Sequence, residues 1–135
     1  MDEKSENLSV FDAEWKKQRV LDLLDKALVP GDIRRLKSYL SPECEIVFPG
    51  FRAHGHEGAD QLLELIEQAF EGCPTKSYDL WICDKYSVCV HGHLYGRMKD
   101  GHVMDGTRYT DTFVFDPEGL VNGWYVYNDL AVKVG

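Results

Sequence analysis

Apolar side chains recur at helical spacing from Leu8 through Phe11 and Trp15 to Val20, Leu21, Leu24 and Leu28, the stripe that a helix buries. Ser9 is the predicted N-cap, with Asp12 three residues on giving an approximate capping box. Pro30-Gly31-Asp32 ends this helix, and Asp32 can cap a short second one through Ile33, Leu36, Tyr39 and Leu40, stopped in turn by Ser41-Pro42. A short strand is expected over residues 44–48, then the breaker Pro49-Gly50, then a glycine-rich turn over 51–58. A third helix is predicted over 59–70, with Leu62, Leu63, Leu65, Ile66, Ala69 and Phe70 apolar. Gly72-Cys73-Pro74 closes it.

Beyond Pro74 the period changes to two and stays there. Four strands are predicted, over 77–83, 87–98, 103–115 and 120–130, joined by Asp84-Lys85, Lys99-Asp100-Gly101 and Asp116-Pro117-Glu118-Gly119, all turn chemistry. Strands joined this tightly are antiparallel neighbours. The expected architecture is α+β, with three N-terminal helices packed on one face of a curved, mostly antiparallel sheet. No internal repeat or linker divides residues 1–135, so one domain is expected, with 1–7 as a loose tail.

Composition narrows the function. The chain has 135 residues, enough for one core, and 23 acidic against 15 basic residues give a formal charge of −8. Such a field repels nucleic-acid phosphates and anionic membrane surfaces. No run of about 18 apolar residues exists to span a membrane. The polar, acidic start Met1-Asp2-Glu3-Lys4-Ser5-Glu6-Asn7 is the reverse of a signal peptide. The four cysteines, Cys44, Cys73, Cys83 and Cys89, show no zinc-finger spacing. They read as small, partly buried apolar residues in a reducing cytoplasm.

Several phrases, in their order and spacing, resemble the nuclear transport factor 2-like superfamily, specifically its SnoaL-like and ketosteroid-isomerase-like branch. They are Pro30-Gly31-Asp32 followed by Ile33 to Leu40, Cys44-Glu45-Ile46-Val47-Phe48-Pro49-Gly50, Gly55-His56-Glu57-Gly58, and the stretch from Asp111-Thr112-Phe113 through Asp116-Pro117-Glu118-Gly119 to Trp124. The resemblance implies a cone-shaped roll, a strongly bent sheet wrapping the first helix around a pocket open at one end. Members include steroid isomerases, polyketide cyclases, dehydratases and epoxide hydrolases, along with non-catalytic modules, so the fold does not name the reaction. Asp111 matches the hydrogen-bond-donating Asp of the isomerases and the acid/base Asp of the cyclases. The isomerase's proton-shuttling Asp is replaced by Phe48 and its oxyanion-binding Tyr by Leu24. The hydrolases' Asp is replaced by Val126. A known ketosteroid isomerase or epoxide hydrolase mechanism is therefore disfavoured.

Strand parity sorts the remaining candidates by face. If Asp111 faces the pocket, so do Tyr109, Phe113 and Phe115, and matching to the isomerase pattern puts Asn122, Trp124, Val126 and Asn128 inward. The same matching turns His91, His93 and Tyr95 to the cavity. The expected catalytic set is Asp111 with His93 and His91, walled by Trp15, Phe48, Tyr95, Tyr109, Phe113, Trp124 and Asn128. A carboxylate beside an imidazole in an apolar pocket is suited to acid/base work. The plainer alternatives stay open: Asp111 as a scaffold group, His91 and His93 on the convex face, Tyr95 and Trp124 as walls only. The triplets His54-Gly55-His56 and His91-Gly92-His93 raise a metal site with Asp111 as third ligand. The resemblance, in which metals are rare, sets that aside, and neither metal nor cofactor is expected. A small hydrophobic organic ligand is the expected partner. A homodimer through the convex sheet face is also expected, with Tyr125 and Tyr127 outward.

Overall fold

The computed structural model describes residues 12–131. Leu8, Ser9, Phe11 and the expected tail lie outside them. Helix α1, Ala13–Leu21, is capped by Asp12, whose side chain accepts from the Glu14 N–H. It continues without interruption into a π-helical segment, Asp22–Leu28, in which the Val29 N–H donates to the Leu24 carbonyl five residues back. Leu23, Leu24, Ala27 and Leu28 are all buried there, two adjacent rows spaced four residues apart that form one apolar face. Lys16 is buried at 1% exposure and donates to the Asp84 and Lys85 carbonyls. It ties α1 to the turn at Asp84-Lys85.

Helix α2, Ile33–Tyr39, starts at Asp32 as predicted, the Asp32 carboxylate accepting from the Arg35 N–H at 3.1 Å. Asp32→Ala is expected to cost about 1 kcal/mol, read as a lower urea midpoint at unchanged slope. Strand β1, Leu40–Phe48, begins four residues before the predicted strand and carries Ser41 and Pro42 within it. The expected turn over 51–58 is instead β2, Phe51–His54, followed by the first turn of α3, Gly55–Ala69. The glycines had masked a hairpin strand and a helix start. Residues 77–83 do not form one strand: β3, Thr75–Lys76, and β4, Leu80–Cys83, both pair with β5, Ser87–Arg97. Strands β6, Val103–Phe115, and β7, Val121–Asn128, complete an open seven-stranded sheet. A 3₁₀ turn, Asp129–Ala131, follows.

The order β2-β1-β7-β6-β5-β3, with β4 also on β5, is antiparallel throughout except for the parallel pair β1–β7. Two irregularities set the faces. Leu94 pairs with Thr107 but Tyr95 with Asp105, leaving Gly106 as an extra residue at φ +89° in β6, a conformation that favours glycine. Val114 pairs with Gly123 but Phe115 with Val121, so Asn122 is extra in β7. The inward position expected for Asn122 is thereby lost: it is exposed, and its side-chain oxygen accepts from the Ser41 hydroxyl at 2.7 Å.

The helices pack on the inner face, Leu36 of α2 and Leu62 of α3 joining Ile46, Phe113 and Trp124 of the sheet in one buried cluster. Phe113 and Trp124 stack at 5.4 Å. No helix among the described residues is long and apolar enough to cross a membrane.

Candidate active site

Residues paired across adjacent strands share a face. Asp111 pairs with Val90 on one side and Val126 on the other, and Tyr109 pairs with Gly92 and Asn128. The inner face of β5 is therefore Val88, Val90, Gly92 and Leu94, all buried. This corrects the expected pocket set. His91, His93 and Tyr95 lie on the outer face, where the imidazole of His93 pairs with Asp79 at 2.7 Å and Tyr95 is 43% exposed. The extra residue at Gly106 breaks the register by which the longer hairpin had been matched, and the apolar parity of β5 decides the face. The metal set of His91, His93 and Asp111 is ruled out by the same geometry, since its members point to opposite sides.

Asp111 does face a cavity. It lies in the wall of a space of about 70 Å³ with Phe48, Lys76, Leu94, Tyr109, Val126 and Asn128, closed by Leu28, Leu65, Ile66 and Phe70 from the helices. Phe48, Leu65, Phe70, Asn128 and Leu130 also border an outer groove of about 330 Å³. They form the partition between the two. Of the expected walls, Phe48, Tyr109 and Asn128 line the cavity. Phe113 and Trp124 are core residues behind it, and Trp15 packs against Phe115 at 5.7 Å.

The group that sequence reading missed is Lys76. Strand β3 is two residues long, and its pairing of Lys76 with Leu94 points the lysine inward. Its ammonium reaches Asp111 Oδ2 at 2.7 Å, with the lysine side chain 13% and the aspartate 0% exposed. It also lies 4.7 Å from the centre of the Tyr109 ring, a favourable cation–π distance. No local pattern marks Lys76, because a two-residue strand has no period to read.

Among the described residues, Asp111 Oδ1 is buried and has no hydrogen-bond partner. Burial pushes the Asp111 carboxyl above the ordinary aspartate range, opposed by the charge and hydrogen bond of Lys76. Tyr109 donates its phenolic proton to the Ser77 carbonyl at 2.7 Å. Burial, followed by the charge of Asp111, raises its pKa and keeps it neutral. Tyr78 donates to Asp25 at 2.9 Å and is held neutral by burial and that bond. Among the described residues, the cavity thus offers the Asp111 carboxyl with a free oxygen, the Lys76 ammonium and the Asn128 side chain among largely apolar walls.

No protein-family profile and no curated protein sequence matches the chain. Solved structures do. An NTF2-like protein of unknown function from Exiguobacterium sp. 255-15 superposes with a TM-score of 0.67 at 20% identity, over 85% of this chain and 98% of that one. A candidate SnoaL-like polyketide cyclase from Jannaschia sp. CCS1 gives 0.75 at 17% identity, over 87% of each chain. TerC, co-crystallised with polyporic acid, gives 0.71 at 16% identity, over 87% of this chain and 93% of that one. The chain has the nuclear transport factor 2-like fold. SnoaL-like polyketide cyclases are among the proteins that share it, as the sequence resemblance implied.

Proposed function

We propose that the protein binds a small hydrophobic organic molecule in this cavity. There Asp111, with Lys76 as its charge partner, moves a proton in a cyclase-, isomerase- or dehydratase-type reaction. The observation that carries this reading is Asp111 Oδ1, wholly buried in the wall of an apolar cavity and unpaired among the described residues. A buried acceptor left without a donor costs about 1–3 kcal/mol, which a ligand hydroxyl or enol would offset. A carboxyl with a raised pKa can give its proton to a developing oxyanion or take one from an acidic carbon. Lys76 stabilises the carboxylate in the charged half of such a cycle. A ligand complex in one neighbour and a candidate cyclase in another support an organic substrate class.

A non-catalytic ligand-binding module is the second reading. It is favoured by Phe48, Leu24 and Val126, apolar in or behind the wall where the resembled enzymes place chemistry. In either case we place the contact of a homodimer on the outer sheet face, where Tyr127 is 64% exposed and Leu80 and Ile82 53% each. Four free thiols suit a reducing cytoplasm.

Amide chemical-shift mapping with a panel of hydroxylated aromatics, polyporic acid among them, tests the site. Shifts are expected to centre on Lys76, Tyr109 and Asp111, and Asp111→Asn should weaken binding on the order of tenfold or more. Phe70→Ala removes part of the partition and should speed association. Shifts centred away from the cavity, or unchanged affinity in Asp111→Asn, would refute the reading. Turnover of any bound compound separates enzyme from binding module.

A further inference from the structure

The outer sheet face carries a cluster that the cavity does not use. Strand β5 presents Cys89 and His91 two residues apart on that face, with Sγ 3.8 Å from Nε2. Their cross-strand neighbours on β6 are Thr112 and Thr110. The Thr112 hydroxyl donates to Cys89 Sγ at 3.4 Å, and Thr110 Oγ1 lies 3.1 Å from His91 Nδ1. With the Nδ1 proton donated to Thr110, the lone pair of Nε2 lies on the side of the sulfur. Zinc–sulfur and zinc–nitrogen bonds of about 2.3 and 2.0–2.1 Å at a tetrahedral angle set the two ligand atoms about 3.6 Å apart. One zinc ion therefore fits this pair with almost no adjustment. The two threonines are placed as the outer partners that orient metal ligands.

Two ligands do not complete a zinc site, and among the described residues no three His, Cys, Asp or Glu side chains gather to hold an ion. The half-site lies amid exposed apolar surface. Leu80 pairs with His91 and Ile82 with Cys89 on one side, and Tyr127 pairs with Thr110 on the other. We propose that two copies of this chain close over this face about a two-fold axis and hold one Zn²⁺ through Cys89 and His91 of each. A two-fold contact offers the same pair twice, which makes a closed Cys₂His₂ set. Stacked sheets lie about 10 Å apart, so the midplane is about 5 Å above each backbone, within reach of both side chains. Two thiolates neutralise the dication, which suits an apolar contact. Each thiol releases its proton to solvent as the zinc–sulfur bond forms, two protons per ion. Affinity therefore falls as the pH is lowered. The proposal rests on the homodimer reading above and specifies what joins the two copies.

The test uses the untagged, metal-free full chain, with circular dichroism confirming that each variant is folded. Sedimentation equilibrium with and without ZnCl₂ reads the oligomer, titration calorimetry the stoichiometry, and Co²⁺ absorption the ligand set. Expected are one zinc per two chains, a dimer at least tenfold tighter with zinc, and a tetrahedral thiolate spectrum with Co²⁺. Cys89→Ser and His91→Gln should each abolish all three, while Cys83→Ser, at an exposed thiol on β4, should abolish none. One zinc per chain, or a Co²⁺ thiolate spectrum that survives Cys89→Ser, overturns the proposal. A dimer indifferent to zinc overturns it too, but leaves the homodimer reading standing. A monomer under every condition removes both.

Discussion

Lys76→Met is expected to destabilise the protein by about 3–5 kcal/mol at pH 7.5, the usual cost of removing one partner from a buried ion pair. Asp111, at 0% exposure, would be left with no counter-charge. The loss should depend on pH in a definite direction. Burial already holds the Asp111 carboxyl above its ordinary value, and Lys76 is what pulls it back. Without the lysine, the folded state keeps a proton that the unfolded chain releases near pH 4. Stability is then full below the unfolded value and falls as the pH rises towards the folded one, by about 1.4 kcal/mol per pH unit within that window. At pH 4 the variant should lie within about 1 kcal/mol of the parent. The double variant Lys76→Met/Asp111→Asn removes both charges and should cost less at pH 7.5 than Lys76→Met alone. Urea unfolding at the two pH values measures all of this. Equal losses at both would show that Lys76 acts through packing of its stem and not through its charge.

Gly92→Ala should be of comparable size for a steric reason. A Cβ at Gly92 would lie 1.9 Å from the Ser77 carbonyl oxygen and 2.9 Å from Tyr109 Cε1. The Ser77 backbone has little room to yield. Its N–H donates to the His93 carbonyl, its hydroxyl accepts from the His93 N–H, and its carbonyl accepts from Tyr109. Overpacking costs about 1–3 kcal/mol and the displaced Tyr109 hydroxyl adds about 1–3. For a domain of this length, that lowers the melting temperature by roughly 10 °C or more. Because Lys76 precedes Ser77, the Lys76–Asp111 pair should loosen as well, and cavity binding should fall with stability. A small change in melting temperature would mean that the segment between β3 and β4 adapts more readily than its hydrogen bonds indicate. In His91-Gly92-His93, the residue that the fold depends on is thus the glycine.

Much of the fold was legible because burial imposes its period on the chain. The two-residue repeat after Pro74 fixed β5 and β6 nearly to their ends, and the bounds of β6, Val103–Phe115, match the predicted 103–115. Asp32 announced its cap because a carboxylate beside a turn has one obvious N–H to accept from. Asp111 was singled out by the resemblance, and parity from it placed Tyr109 on the same face. The parity of β5 was legible too: Val88, Val90, Gly92 and Leu94 alternate as a buried face, a stronger signal than a match carried through a hairpin of different length. Phe51–His54 and the first turn of α3 were hidden because glycines at 50, 55 and 58 read locally as a turn.

The sequence by itself determined the helices-then-strands order and the antiparallel neighbours, since each follows from spacing along one segment, whereas the inward Asp111 was only what the resemblance implied until the strand pairing placed it. Tertiary structure decided the rest. The extra residues Gly106 and Asn122 reset which side chains share a face, and a one-residue shift inverts every position beyond it. The partner of Asp111 was decided the same way. Lys76 lies 35 residues away in sequence and reaches the carboxylate because β3 pairs for two residues with β5. Contacts of that range depend on strand register, which no local pattern of apolar and polar residues encodes.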